Sequence, residues 1–258
     1  MPYDIDFQSP DFTSGLSGLD ASIVANLSTS SIETISTSQV QSLTTAQFAA
    51  LTAASLGAFS TDQVGAVLTT QIAILSSAQL AGFSTSSVPS FSSSQLQNLS
   101  TGAIRGLSGA QVKALTTDQV VNLLTSQIVS LTPTQVGSFA SDDFNSLTSS
   151  QVGILSYSQM TQIGTALLSS LTTGQIAAFA TGSVSALGFA QVVSLTSSQV
   201  GALTTQQLGG MTATQVGYIE TADISGLSTA QLASFSSSQI RGLSQLQVGV
   251  LTTGQVSS

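Results

Sequence analysis

The sequence predicts an all-α fold: a solenoid, or superhelix, of very short helices with one helix in each eight-residue repeat. Three observations predict it. Two apolar series run through the chain at a fixed interval of eight, a helix-start signature recurs within the interval, and the few charges are sorted by helix polarity.

The interval comes first, because self-similarity at a fixed period decides the architecture before any local propensity does. Segments such as LTTAQFAA (43–50), LTTDQVVN (115–122), LTSSQVGA (195–202) and LTTGQVSS (251–258) share the unit L-[ST]-[ST]-x-Q-[VIL]-x-x. Every eighth residue from Leu19 to Leu251 is apolar, 30 positions in all, and so are the 30 from Val24 to Val256. Between positions 39 and 255 the fifth place is Gln in 21 of 28 octads. The exceptions are Ser55, Ser87, Ala103, Asp143, Leu167, Ser183 and Asp223. A register that accepts no insertion means that each octad does the same geometric job, as in a solenoid.

An unbroken α-helix cannot carry this period. Eight residues leave an offset of about 80° per repeat, which would wind the apolar stripe around the cylinder. A flat strand fails as well, because separations of five and three put the two apolar places on opposite faces. The alternative that survives is a β-solenoid with a corner in every octad. Short helices are favoured over it because [ST]-x-x-Q is a capping box, with a hydroxyl accepting from the N3 amide and the Gln reaching back to the N-cap amide. The Leu before the cap and the Val or Ile after the Gln are then the N′ and N4 partners of a hydrophobic staple.

Charge placement tests the helix reading independently, since cations are favoured at helix C-termini and anions at N-termini. Arg105, Lys113 and Arg241 all follow the N4 residue. Asp20, Asp62, Asp118, Asp142, Asp143, Glu220 and Asp223 lie between N-cap and N3, and Glu33 alone stands on the other side. Pro133 falls at N1, where proline is welcome. Pro89 removes an amide that an α-turn would use. Small pairs at the octad end, such as Gly57-Ala58 and Gly209-Gly210, predict tight bends and close approach of neighbouring turns.

Composition narrows the function. The chain has 258 residues, a net charge of −8, only 5% charged residues, and no Cys, His or Trp. These absences remove imidazole and thiolate metal sites, thiol and Ser-His nucleophiles, and disulfides. Three cations cannot lay a track along phosphates, so nucleic acid is not an expected partner. No apolar run is long enough to insert in a membrane. No cofactor, metal or catalytic residue is predicted, and the chain reads as a non-enzyme. Asp142-Asp143 is explained by helix-dipole compensation, and Asp4, Asp6 and Asp11 lack the loop glycine and distal Glu of a Ca²⁺ loop. Thr45, Thr61, Thr117, Thr173, Thr205 and Thr253 at the third place read as soluble N1 residues, with a polar ladder for glycan or ice as the sharper alternative.

The domain reading is a non-repeat N-terminal arm, residues 1–18, followed by a single octad-repeat solenoid, 19–258. The arm carries Tyr3, Phe7 and Phe12, and its acids leave no recognisable signal peptide. The repeat runs to Gln255-Val256 without a cap-like sequence. This predicts a head-to-tail homopolymer whose joint brings Tyr3, Phe7 and Phe12 to Leu251 and Val256.

Over residues 19–258 the chain resembles the bacterial L-[ST]-x-x-Q-[VIL] octad-repeat proteins, long Ser/Thr/Gln/Ala-rich chains often described as adhesin-like, haemagglutinin-like or haem-utilisation proteins. The resemblance implies an extracellular or cell-surface setting. It carries over no catalytic residue, and a haem role finds no His or Cys ligand here. The expected function is a structural one, the self-assembling subunit of an extracellular filament, matrix or surface appendage. The alternative is a monomeric adhesin or binding module that presents a Ser/Thr-rich face to glycan or ice.

Overall fold

The computed structural model describes residues 2–7 and 15–257. Each octad from residue 20 onward forms one helix, so that the described residues hold 29 α-helices and one 3₁₀ helix. The individual α-helices are four to six residues long, as in Thr69–Ile72, Ala21–Ala25 and Thr45–Ala50. No strand occurs among the described residues, and a single parallel bridge joins Tyr3 to Leu27. The β-solenoid alternative is thereby excluded: the octad is broken by ending a helix, not by turning a strand.

The small pairs at the octad end predict that the tight bend is made there. Instead the Leu-type residue is extended, with φ −60° and ψ 127° at Leu43, and the next Thr cap at Thr44 follows with φ −64° and ψ 158°. Two extended residues in succession stop the helix, and any L-residue adopts them. Gly15 is the one described residue with positive φ, at 103°. Pro133 sits at N1 of Pro133–Val136 as expected. Pro89 lies inside Thr85–Ser90, which is the 3₁₀ helix, because its missing N–H removes the α-type bond at that place.

The chain divides into two units, one of residues 1–131 with 138–140 and the other of 132–137 with 141–258. In the first, Ala21–Ala25 packs on Thr45–Ala50 and Ala53–Gly57 packs on Ser77–Gly82. In the second, Ala213–Tyr218 packs on Ser237–Gly242 and Ser149–Gly153 on Thr173–Ala178. In each unit the helix above is therefore three octads further along the chain. Glycines meet backbone one turn away at sequence separations of 25 to 29, as at Gly57 with Gly82 and Gly242 with Ala213. One superhelical turn thus takes between three and four octads, a number that the repeat alone left open.

The two apolar series form the core of each unit. Val24, Ile32, Val40, Phe48, Val64 and Ile72 are fully buried, and the Leu-type series lies just behind them at 2–6% exposure from Leu27 to Phe91. Phe48, Phe59, Phe83 and Phe91 run edge-to-face through the first unit at centroid distances of 5.1 to 6.3 Å, so the scattered phenylalanines are packing elements. Bulky residues at the octad end point outward instead, Ile74 and Ile154 being 41% and 36% exposed.

Where glycine does matter is close approach. A Cβ on Gly106 would collide with the backbone of Ser77, whereas one on Gly201 would meet nothing within 4 Å. Gly106→Ala is expected to lower stability by about 1–3 kcal/mol, while Gly201→Ala raises it by about 0.5–1 kcal/mol through helix propensity. Urea unfolding of the two variants followed by circular dichroism checks the contrast.

Charges follow the predicted helix polarity. Lys113 and Arg241 lie in last turns, Asp62 and Asp118 in first turns. Asp20 caps Ala21–Ala25 and accepts from the Ser22 N–H at 2.7 Å. Hydrogen bonds from the Ser22 side chain and then its backbone hold the Asp20 carboxyl below its ordinary value of 3.8. Its contribution to stability is therefore present above the unfolded-state value and lost as pH falls through the lower folded-state one. Ser22→Ala is expected to move that titration back upward, read from the Asp20 carboxyl ¹³C shift between pH 2 and 6 (a range of about four units around the ordinary carboxylate value).

Candidate functional site

The recurring polar element is the fifth-place glutamine, and its geometry begins with the cap. Ser60 N–H donates to Gln63 Oε1 at 2.7 Å, and Gln63 N–H donates to Ser60 Oγ at 3.2 Å. The same reciprocal pair joins Ser36 to Gln39, Thr116 to Gln119 and Thr196 to Gln199. At Leu68, Leu124 and Gly188 the cap has no hydroxyl, and the glutamine half of the box remains, with N–H to Oε1 distances of 2.8, 3.0 and 2.9 Å.

The other end of the carboxamide does something that local reasoning missed. Gln63 Nε2 donates to the carbonyls of Ile32 at 2.8 Å and Ile35 at 2.6 Å, one superhelical turn earlier. Gln71 reaches Val40 and Leu43, Gln127 reaches Leu96 and Leu99, and Gln191 reaches Met160 and Ile163. The separations are 31 and 28 residues each time. One carboxamide thus closes its own helix start and the carbonyls of the turn below. Gln63, Gln71 and Gln127 are only 3%, 1% and 1% exposed, yet no buried described side-chain polar atom lacks a partner. A signal for this was present: the fifth place is never Glu, although Glu serves a capping box as well and suits a helix N-terminus better. A carboxylate has no hydrogen to give.

The residues of the predicted joint are distributed as follows. Tyr3 is half exposed, and its backbone is held by its own chain, its N–H donating to Asn26 O at 2.6 Å and its carbonyl accepting from Ser28 N–H at 2.8 Å. Phe7 is 2% exposed, with its carbonyl taken by Gln39 Nε2 at 3.1 Å. Leu16 is fully buried, and Gln47 Nε2 bonds both the Leu16 and Leu19 carbonyls. The described part of the arm therefore serves as the turn below the first helices of its own chain. Phe12 and Asp11 lie outside the described residues. In the second unit Leu251 and Val256 line a cavity of about 230 Å³ with Leu232, Phe235 and Ile240.

The remaining candidates are surface features. All six third-place threonines are exposed, and Thr173 and Thr205 begin helices joined by the Gln207–Ile176 bond. The Asp4 carboxylate accepts from the hydroxyls of Ser28, Ser30 and Ser31 at 3.1–3.2 Å. Asp142 and Asp143 occupy the first turn of Ser141–Asn145, as their helix-dipole reading requires. Among the described residues no three His, Cys, Asp or Glu side chains gather into a metal-sized group. No helix among them is long and apolar enough to cross a membrane.

Residues 88–125, 168–205 and 216–253 match the sequence model of the ALTTAQ repeat, so the chain is a repeat protein. No curated protein matches it.

Gln63→Glu separates the two halves of the glutamine's work, since it keeps the capping acceptor and removes the donors. A buried charge facing the Ile32 and Ile35 carbonyls is expected to cost about 3–5 kcal/mol at neutral pH, with part recovered in acid when the carboxyl is protonated. Chemical unfolding at pH 7 and pH 4, compared with the parent chain at each pH, measures both effects.

Proposed function

We propose that this chain is a non-enzymatic structural protein, a self-assembling subunit of a bacterial extracellular filament, matrix or surface appendage. The observation that carries the reading is the apolar face at residues 240–256. Ile240, Val248 and Val256 are 46%, 49% and 68% exposed, while their counterparts Val200, Leu208 and Val216 are at most 1% exposed. Leu246 adds to the same stretch at 75%. This is the face that one octad turn offers to the next, and octads in the same register, on this chain or on a second copy, would cover it. The exterior supports the same role, because Ser, Thr and Gln keep it wet while 5% charge leaves little repulsion between copies.

In this reading the described arm residues pack on their own chain, and the half-exposed Tyr3 is the part of them left to a joint with Leu251 and Val256. Phe7 and the carbonyls of Phe7, Leu16 and Leu19 are already used by Gln39 and Gln47 of the same chain. Association is then assigned to the face around Ile240 and Val248. A second reading, a binding module for glycan, draws on exposed aromatic rings: Phe189, 60% exposed, stands edge-on to Tyr218 at 4.9 Å, and Tyr157 is 58% exposed. Tyr157 and Phe189 begin helices four octads apart, linked by the Gln191–Met160 bond. Uncharged aromatic and hydroxyl groups suit the mixed apolar and polar faces of a sugar.

Sedimentation velocity over a wide concentration range, with electron microscopy of the same samples, decides between the two. Growth into rods, suppressed by Ile240→Asp and Val248→Asp, is the expected outcome. A chain that stays monomeric throughout and binds an immobilised polysaccharide through Phe189 would replace the filament reading with the second one.

A further inference from the structure

In a complete octad the glutamine carboxamide accepts from the N-cap N–H and gives its two hydrogens to two carbonyls 28 and 31 residues earlier, as Gln63 does with Ser60, Ile35 and Ile32. In the octad that starts its helix at Ala53, the fifth place is Ser55. The three backbone groups that a glutamine would join there are the Thr52 N–H and the carbonyls of Leu27 and Val24. Serine is too short to span them. Its hydroxyl lies 2.9 Å from Thr52 Oγ1, within its own cap. Ser183 behaves differently, crossing to the Leu155 carbonyl at 2.6 Å and restoring one bond of the ladder.

Beside Ser55 the structure holds a cavity of about 490 Å³ lined by Leu27, Thr52 and Ser55, with Pro2, Ala25 and Ala54 as apolar walls. Ser55 forms its floor at 3% exposure. Among the described residues nothing donates to the Leu27 carbonyl and nothing accepts from the Thr52 N–H. An acceptor and a donor on residues that line this space therefore stand in the arrangement that a carboxamide satisfies in the glutamine octads.

We infer that this cavity is a binding site for a primary carboxamide, which takes the place of the side chain that Ser55 does not supply. The pattern selects against near neighbours. A carboxylate would set an oxygen against the Leu27 carbonyl, and an ammonium has no lone pair for the Thr52 N–H. The same chemistry is carried by a small free amide and by the Gln or Asn side chain of a peptide, so the ligand is one of these two sources.

The test is a ¹H-¹⁵N titration of the full chain, reading the amides of Thr52 and Ser28. Propionamide and a short peptide with a single Gln are the two ligand arms, with propionate and propylammonium as controls. The expected result is a saturable shift of both amides with at least one carboxamide and none with the controls. A response to propionamide alone assigns the site to free amides, and a response to the peptide alone assigns it to a Gln-bearing segment. Ser55→Gln is expected to abolish the shift and raise the melting temperature, because it supplies the carboxamide from within. Ser55→Ala retains the shift and keeps the test open should the Gln variant misfold. Thr52 and Ser28 amides that stay still with both carboxamides, or that respond equally to propionate, would overturn the inference.

Discussion

A single carboxamide holds this architecture together. The fifth-place glutamine is neutral, has one acceptor oriented to the local N-cap and two hydrogens oriented to the turn below, and is buried with every group used. Burial of a polar group is costly unless it is bonded, and a fully bonded network specifies one arrangement over others. No other side chain meets all three demands at this length. Asparagine is a methylene shorter, glutamate lacks donors, and lysine lacks the acceptor.

That constraint explains the rest of the sequence pattern. Helices of four to six residues are too short to be stable in isolation. They persist here because most starts are closed by a hydroxyl, a glutamine or both, and because the helices are stopped by two extended residues whose Leu-type side chain enters the core. The two apolar series then stack over those of the neighbouring turn, and the carbonyls between them are bonded by the next glutamines. Solenoids in general derive stability from such nearest-neighbour interfaces. In this one the interface carries a regular hydrogen-bond ladder as well as apolar contact, so the surface is free to be built of Ser, Thr and Gly with very few charges.

The places where the ladder is altered are informative for the same reason. Ser183 keeps one bond across the turn, while Ser55 keeps none and lies beside a cavity. The 3₁₀ helix at Thr85–Ser90 combines Ser87 at the fifth place with Pro89 two residues on. The arm supplies carbonyls at Phe7, Leu16 and Leu19 to the first glutamines, so an irregular segment meets the regular lattice through the same groups that octads use.

The sequence by itself determined the octad, the all-α class, the capping boxes, the N1 place of Pro133 and the sorting of charge by helix polarity. All of these are local: they depend on residues within one repeat, and spacing exposes them. Tertiary structure decided the number of octads per turn, the donation of glutamine Nε2 groups to carbonyls 28 and 30 or 31 residues back, the engagement of Phe7 by its own chain and the cavity beside Ser55. The bend between successive short helices sets the turn, and that angle is fixed by packing across a separation at which an eight-residue pattern carries no information. Only the choice of Gln over Glu pointed beyond the repeat, since a donor that its own octad cannot use must be used elsewhere.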